Sequence, residues 1–166
     1  MIILGIDPGY AIVGYGVLDY YANRFKVIEY GAVTTDAGTP FNRRLEMIYD
    51  GVTQIMERTR PQALSIEKLF YNTNAKTVID VAQARGVIML SAQKQGIPAY
   101  EYTPLQVKQS VVGYGRAEKK QVQEMTRILL GLEKVPKPDD TADALAMAIC
   151  HGHCSGSLMG RLKYYK

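Results

Sequence analysis

Apolar and polar positions alternate along the start of the chain in the way that they do along half-buried β-strands. Three such segments follow one another: "IILGID" from residue 2, "AIVGYGVLDY" from residue 11 and "RFKVIEYGAVTT" from residue 24. Only short turn-forming stretches, at Gly9 and over "YANR", separate them. This spacing predicts three consecutive antiparallel strands joined by tight turns.

Beyond Pro40 the apolar positions recur at helical spacing, until Pro61 ends the pattern. A short strand, a polar loop and a long helix over residues 75–95 follow, and a further short strand comes after Pro98. The last part of the chain is predicted to be helical. The segments that carry these later elements are, in chain order, "ALSIEKLF", "YNTN", "AYEYT", "LQVKQSVV", "AEKKQVQEMTRILL" and "TADALAMAICH".

This order of elements predicts an α/β fold. Three antiparallel strands, extended by two parallel strands that are reached through crossover helices, give a mixed five-stranded sheet flanked by helices. That is the layout of the RNase H-like fold. A length of 166 residues suits one domain, which we place at residues 1–155. We expect the polar, basic residues 156–166 to form a flexible C-terminal tail.

The overall charge is compatible with a nucleic-acid partner without requiring one. The chain has 20 basic and 16 acidic residues, a net charge of +4 and a pI near 9.0, and Lys and Arg side chains neutralise phosphates. No apolar run is long enough to cross a bilayer. The opening "MIILG" lacks the basic segment and the cleavage site of a signal peptide. We therefore expect a cytoplasmic protein that does not contact membranes.

Two cysteines and two histidines crowd into "CHGHC" at residues 150–154. Structural zinc sites normally draw ligand pairs from separated segments that close a tetrahedron, which five adjacent residues do not easily do. The alternative is the polar end of a helix with two reduced thiols, and we favour it. Reduced thiols also suit a reducing compartment.

Two carboxylates stand at the ends of predicted strands. Asp7 interrupts an apolar run, and Pro8 and Gly9 stop the strand directly after it. Glu67 ends the apolar strand "ALSI", although glutamate is a poor strand former. Asp7 also has a purely structural interpretation, since Asp often caps a turn. The crossover topology nevertheless allows the two strand ends to lie side by side.

A second pair of carboxylates begins the last predicted helix. Asp140 and Asp143 are three residues apart, so they project from one side of its first turn. Helix capping is a strong alternative, because Asp at these positions satisfies free backbone N–H groups. Asp139 is a candidate for that cap, which would leave Asp140 available.

The four carboxylates together predict a metal site. Two like charges about 4 Å apart repel by about 4 kcal/mol at an effective dielectric near 20, so a cluster of them needs cations. A set of oxygen ligands selects hard ions such as Mg²⁺ or Mn²⁺. Two such ions can activate a water and stabilise the leaving oxygen when a phosphodiester is cut. The sequence therefore favours a metal-dependent phosphodiesterase.

Several motifs resemble the RuvC family of bacterial Holliday junction resolvases. The similarity extends to about residue 154, and the motifs are highly specific in combination. They are "GIDPG" with the following "GYGV", "IEKLFYNTNAKT", "QARGV", "YTPLQVKQSVVGYGRAEKKQVQ" and "DDTADALAMAICHGH".

The resemblance implies an RNase H-like nuclease that nicks two opposed strands of a four-way DNA junction symmetrically during recombination and repair. It implies a homodimer, Mg²⁺ as cofactor, two ions per site with Mn²⁺ able to substitute, and a branch-migration helicase complex as a partner. The catalytic, metal-binding acids that it implies are Asp7, Glu67, Asp140 and Asp143. Its "D-x-x-D-A-L" spacing selects Asp140 over Asp139.

The DNA contacts that the resemblance implies are basic and aromatic. Lys108 and Lys119 match the basic positions of the family, and Arg116 lies between them in a glycine-bearing turn that suits phosphate binding. Phe70 matches an aromatic that stacks on a base near the exchange point, with Tyr71 beside it as a second contact. Ordinary core packing is the alternative for Phe70.

The predicted helix over residues 75–95 carries more apolar surface than one sheet face requires. Its apolar positions include Val78, Ile79, Val87 and Leu90. Burial against a two-fold partner explains the excess and fits a symmetric substrate.

Three rival functions are weaker. Phosphotransferases and chaperone ATPases share a "G-I-D-x-G" opening, but they need a second lobe and a second phosphate loop that 166 residues do not supply. A junction-binding scaffold without activity does not explain an intact set of four acids. An RNA-directed relative is disfavoured by the Phe70 loop and the basic turn. Cleavage of a junction in Mg²⁺ separates all three from a resolvase.

Overall fold

The computed structural model of the protein describes residues 1–69 and 75–156. Five strands and five helices are present in this part of the chain. In order they are β1 (Ile2–Asp7), β2 (Ile12–Tyr21), β3 (Arg24–Thr34), α1 (Phe41–Thr59), β4 (Ala63–Glu67), α2 (Ala75–Lys94), β5 (Ala99–Tyr102), α3 (Pro104–Val112), α4 (Lys119–Leu129) and α5 (Asp139–Gly156).

The strands form one mixed sheet in the order β3-β2-β1-β4-β5. β1, β2 and β3 pair antiparallel, while β4 and β5 continue the sheet in parallel with β1. The turn between β2 and β3 places Ala22 and Asn23 at positive φ, as a two-residue hairpin turn requires. The predicted mixed five-stranded fold is confirmed.

Each face of the sheet has its own hydrophobic core. Leu4 and Ile6 of β1 point to the face covered by α1 and α2, where they pack with Ile48 and Ile88. The alternate positions of β1 point to the other face, where α5 lies against the sheet and α3 and α4 pack on α5. Asp7 also points to this second face, because side chains alternate along a strand.

Glycines in β1 and β2 let the backbone of α5 rest directly on the sheet. A Cβ atom at Gly5 would lie 2.0 Å from the carbonyl oxygen of Ala144. A Cβ atom at Gly14 would lie 2.0 Å from the carbonyl oxygen of Asp140. Any side chain at either glycine would push the helix away, so the two glycines determine how closely α5 approaches the strands.

The bounds of α5 and β4 differ most from the predicted ones. α5 begins at Asp139 rather than at Thr141, and it continues to Gly156 because its later residues are still packed on the sheet. β4 ends at Glu67, where its pairing with Tyr102 of β5 also ends. The predicted flexible tail falls almost entirely on residues 157–166, which lie outside the described residues. The boundary at residue 155 stays a prediction.

The "CHGHC" segment lies within α5, and neither of its cysteines forms a disulfide in the described part of the chain, as predicted. The prediction that it forms a polar helix end is wrong, because Cys150 and His151 are buried. The His151 ring packs on the ring of Tyr100, and its Nδ1 lies 2.7 Å from the Tyr102 hydroxyl. Burial lowers the pKa of His151 to about 4, so this ring is neutral at pH 7.

Within residues 1–69 and 75–156, none of the helices combines the length and the apolar character needed to span a bilayer.

Candidate active site

Asp7 and Glu67 lie at the ends of neighbouring parallel strands. Ile6 of β1 is in register with Ile66 of β4, so the next residue of each strand is a carboxylate. Both carboxylates point to the sheet face that α5 covers, because Gly5 and Ser65, two residues earlier on each strand, contact α5. The predicted juxtaposition of the two strand ends is therefore present.

Helix α5 brings the other two acids to the same end of the sheet. Its first turn lies on β2, where the backbone of Asp140 covers Gly14. On the β4 side, the buried hydroxyl of Ser65 donates a hydrogen bond of 2.7 Å to the carbonyl oxygen of Met147. Met147 is one turn after Asp143, so this bond holds the Asp143 side of the helix over β4.

A cleft of about 320 Å³ opens between the sheet, α3, α4 and α5. Three of the predicted acids line it: Asp7, Glu67 and Asp143. Asp140 is not among the described lining residues, although its charge raises the pKa of Asp7. The remaining walls combine apolar and basic side chains. They are Pro104, Val107, Lys108, Lys119, Val122, Ala146 and Met147.

The Asp7 carboxyl is strongly destabilised as an anion. Burial raises its pKa from 3.8 to about 8, and the charges of Asp143, Glu67 and Asp140 contribute to this rise, against an opposing effect of Lys119. Burial and the charge of Asp143 also raise the pKa of Glu67. Without a bound cation, Asp7 therefore holds a proton near neutral pH. A cation in the cleft would favour the ionised form of both acids.

Lys119 is the cation nearest to this cluster in the described residues. Its ammonium nitrogen lies 2.7 Å from a carboxylate oxygen of Asp143, and Gln123 donates to the other oxygen at 3.4 Å. Burial acts to lower the pKa of Lys119, but the hydrogen bond to Asp143 and the charges of Asp143 and Asp7 outweigh it and raise the pKa. Lys119 thus compensates part of the negative charge of the cleft.

The donor chemistry of the cleft fits a hard divalent cation. Its acidic side chains offer only oxygen ligands, which Mg²⁺ and Mn²⁺ prefer. The present side-chain arrangement is not yet a closed ligand cluster: across the described ranges, no three Asp, Glu, His or Cys side chains are placed to hold a metal ion together. In this arrangement Asp143 is paired with Lys119.

The predicted DNA contacts have different positions. Lys108 and Lys119 line the cleft beside the acids. Arg116 is exposed on the turn between α3 and α4 and is not among the described lining residues. Phe70 and Tyr71 lie outside the described residues.

Asp139 begins α5, and its carboxylate pairs with the ammonium of Lys137. The hydrogen bond from Lys137 lowers the pKa of Asp139, so this acid is already compensated by a cation outside the cleft. The charge of Asp140 acts on Asp7, and the choice of Asp140 over Asp139 stays a prediction.

Some residues that build the site were not predicted. Arg85 of α2 donates to the main-chain carbonyl of Glu67, and Ser65 fixes α5 on β4. The sequence carried one usable signal for the close helix packing, since isolated glycines such as Gly5 and Gly14 inside strands indicate close backbone approach. Nothing comparable indicated Ser65, which is an ordinary polar residue in an apolar strand.

Comparison with known proteins agrees with this geometry. A model of the family described as "Crossover junction endodeoxyribonuclease RuvC" matches residues 3–151. A relative of that name from Caldanaerobacter subterraneus subsp. tengcongensis is 56% identical over 164 residues, which cover 99% of each chain.

Two solved structures of RuvC from Thermus thermophilus are similar in fold. One is 34% identical with a TM-score of 0.87, and the similarity covers 93% of this chain and 95% of that chain. The other, in complex with Holliday junction substrate, is 31% identical with a TM-score of 0.87, covering 96% of this chain and 98% of that chain. The acidic cleft at the strand ends and this similarity over nearly the whole length lead to one conclusion: the chain belongs to the RuvC family of crossover junction endodeoxyribonucleases.

Proposed function

We propose that this protein resolves four-way DNA junctions by cutting phosphodiester bonds in two opposed strands. The observation that carries the proposal is the cleft in which Asp7, Glu67 and Asp143 meet beside Lys108 and Lys119. Acidic side chains bind the cation that DNA cleavage needs, and basic side chains beside them bind the phosphate. The Thermus thermophilus RuvC structure that is similar in fold holds a Holliday junction substrate.

We assign the metal to Asp7, Glu67, Asp140 and Asp143. Membership in this endonuclease family implies dependence on a divalent metal in general, and our more specific assignment is Mg²⁺, with two ions per site and Mn²⁺ as a substitute. Such ions supply an activated water and charge stabilisation at the leaving oxygen. The residues themselves hold the oxygen ligands at the ends of two strands and at the start of one helix, which brings the acids to the same end of the sheet.

Lys108, Lys119 and Arg116 are the proposed phosphate contacts of the described chain. Lys119 reaches the cleft from the first turn of α4, and Lys108 reaches it from α3. Both residues line the cleft beside the acids, which supports their assignment as phosphate contacts. Phe70 and Tyr71 complete the proposed DNA contacts by base stacking, which is sequence-tolerant because every base has a π-face.

The Lys119→Ala variant is expected to bind junction DNA more weakly and with less dependence on salt. One lost phosphate contact makes the slope of log affinity against log salt shallower by about 1. Fluorescence anisotropy with a labelled four-way junction at several salt concentrations measures this slope. Lys120→Ala is the matched control, because Lys120 is the next residue of α4 and is not among the described lining residues. Equal slopes for the wild type and Lys119→Ala would refute the contact.

We further propose that the protein acts as a homodimer through α2. The inner face of α2 packs on the sheet through Ala84 and Ile88. The opposite face leaves Ile79 64% and Leu90 52% exposed. Between them lies Gly86, where an added Cβ would meet nothing within 4 Å, so a second copy of α2 has room to cross closely there. Two-fold pairing of this face would present two clefts to the two strands of a junction.

The double variant Ile79→Gln/Leu90→Gln is expected to shift the protein from dimer to monomer. The added polar groups would be buried without partners in a paired α2 face. Size-exclusion chromatography with light scattering measures the mass, which should fall from twice 18.5 kDa toward 18.5 kDa. The matched control is Ile128→Gln/Leu129→Gln on α4, since these side chains are similarly exposed at 55% and 40%. A wild type that is monomeric, or a dimer that survives the α2 changes, would exclude this interface.

The remaining assignments follow from the family resemblance. A branch-migration helicase complex is the proposed protein partner. The cytoplasm is the proposed location, and the two cysteines, which form no disulfide in the described residues, agree with a reducing compartment.

A further inference from the structure

Arg85 connects helix α2 to the backbone of Glu67. Its Nε donates a hydrogen bond of 3.2 Å to the main-chain carbonyl oxygen of Glu67, and a terminal nitrogen lies 2.5 Å from a carboxylate oxygen of Glu101 on β5. The Arg85 side chain is only 16% exposed. One guanidinium thus contacts the last residue of β4 and a residue of β5 at the same time.

A contact at the Glu67 carbonyl affects the position of a carboxylate in the cleft. Glu67 is the last residue of β4, and its partner in the sheet, Tyr102, is the last residue of β5. The peptide that follows Glu67 is held on its N–H side by a hydrogen bond of 2.9 Å from Lys68 to the carbonyl oxygen of Tyr102, and Arg85 holds its carbonyl side. A shift of the Glu67 backbone at this strand end would carry its carboxylate away from Asp7 and Asp143. The guanidinium of Arg85 resists such a shift from the carbonyl side of the peptide.

The fork of the guanidinium explains why arginine suits this position. Its N–H groups diverge in a fixed plane, so it can hold a carbonyl and a carboxylate at once, and it stays charged at all relevant pH values. The ion pair with Glu101 fixes the orientation of the guanidinium, which in turn fixes the hydrogen bond to Glu67. A lysine would supply a single point charge and could not hold both partners in the same geometry.

We propose that Arg85 is a positioning residue for catalysis, which keeps the Glu67 carboxylate aligned in the cleft by holding its peptide carbonyl between α2 and β5. The inference rests on the proposed function, since it presupposes that Glu67 acts in junction cleavage. Arg85 itself lines no part of the cleft that the described residues show, so it acts through Glu67 and not on the DNA. The next residue of α2, Gly86, belongs to the proposed two-fold face, so the same helix orients Glu67 and pairs the subunits.

The rival interpretation is an ordinary stabilising ion pair. Arg127 offers a matched comparison, because it also bonds one carboxylate and one main-chain carbonyl, those of Glu124 and Leu132. Arg127 is not among the described lining residues of the cleft. Loss of Arg127 should change stability alone, whereas loss of Arg85 should change the chemical step.

The test measures three quantities for Arg85→Met, Arg85→Lys, Glu101→Gln, Arg127→Met and Glu67→Gln. They are the single-turnover rate of nicking on a synthetic four-way junction, the junction Kd, and the Kd for Mn²⁺ in the absence of DNA. Methionine keeps the apolar stem of Arg85 and removes both polar contacts.

For Arg85→Met we expect the nicking rate to fall about 10- to 100-fold and Mn²⁺ binding to weaken several-fold, with the junction Kd within about twofold of wild type. Arg85→Lys and Glu101→Gln should show smaller losses in the same direction. Arg127→Met should nick at the wild-type rate.

The outcomes separate the two proposals. If Glu67→Gln is inactive but Arg85→Met nicks at the wild-type rate, the positioning role is overturned and the proposed function stands. The positioning role is likewise overturned if Arg127→Met loses as much rate as Arg85→Met. If Glu67→Gln nicks normally, the proposed function fails and the role of Arg85 fails with it. Should Arg85→Met not fold, wild-type rates in both Arg85→Lys and Glu101→Gln would overturn the positioning role.

Discussion

Replacing Glu67 with glutamine is expected to slow nicking of a four-way junction by about 10³-fold or more, which corresponds to about 4 kcal/mol of activation free energy. Glutamine keeps the size of the side chain and one of its two oxygens, but it removes the negative charge. Glu67 stands at the end of β4 and lines the cleft with Asp7 and Asp143. Loss of its charge therefore weakens the cation site without altering the fold.

Junction affinity should remain within about twofold in the same variant, because binding depends mainly on basic contacts to phosphates. Labelled junctions measure both quantities, with gel electrophoresis for nicking and anisotropy for binding. Glu133→Gln is a suitable control, since Glu133 is exposed in the loop before α5 and is not among the described lining residues. A Glu67→Gln protein that nicks at the wild-type rate would remove Glu67 from the active site.

Replacing Gly14 with alanine is expected to disable the site by displacing α5 from β2. The new Cβ would lie 2.0 Å from the carbonyl oxygen of Asp140 and 2.8 Å from the amide nitrogen of Thr141. Both contacts are with backbone, so the start of α5 must move away from β2. That movement carries Asp140 and Asp143 away from Asp7. A displacement of about 1 Å is enough to lower a catalytic rate about 10²-fold.

The same variant should lose about 1–3 kcal/mol of unfolding free energy, as overpacked cores do. Urea titration measures the stability, and the junction assay measures the rate. Gly38→Ala is the matched control, because the nearest atom to its added Cβ, an Asp36 oxygen, is 3.8 Å away. Wild-type nicking by Gly14→Ala would show that the contact of α5 with β2 does not position the acids.

The order of the strands along the chain and the place of Asp7 and Glu67 at strand ends followed from local patterns. Period-two alternation and tight turns predicted the first three strands. A carboxylate that ends an apolar strand is expected at the end of the sheet, where its side chain can leave the core. Once β1 and β4 are parallel neighbours, Asp7 and Glu67 must lie at the same edge. These features depend on short stretches of sequence, which is why they could be predicted.

The contacts that finish the site depend on residues far apart in the chain. Ser65 reaches Met147, and Arg85 reaches Glu67, only because helices α5 and α2 pack on opposite faces of the sheet. No local sequence pattern predicts such pairs. The burial of His151 is a similar case, since a polar residue in a polar motif becomes interior when its helix continues across the sheet. Tertiary packing overrode the local signal there.

The pairing of Lys119 with Asp143 also changes how the basic residues are understood. The sequence predicted Lys119 as a DNA contact, and its position beside the acids gives it a second effect in the absence of a divalent cation. It offsets negative charge in a buried cleft where Asp7 would otherwise be still harder to ionise. In the proposed complex, a divalent cation would pair with Asp143 and a DNA phosphate would pair with Lys119.

The most direct test is anomalous diffraction from crystals of the protein grown with a nuclease-resistant four-way junction and Mn²⁺. We expect an anomalous peak in the cleft within coordination distance, about 2.0–2.2 Å, of carboxylate oxygens of Asp7 and at least one other assigned acid, with the Lys119 ammonium displaced from Asp143. A cleft without anomalous density at saturating Mn²⁺, with Lys119 still paired to Asp143, would contradict a metal-dependent nuclease site at these acids.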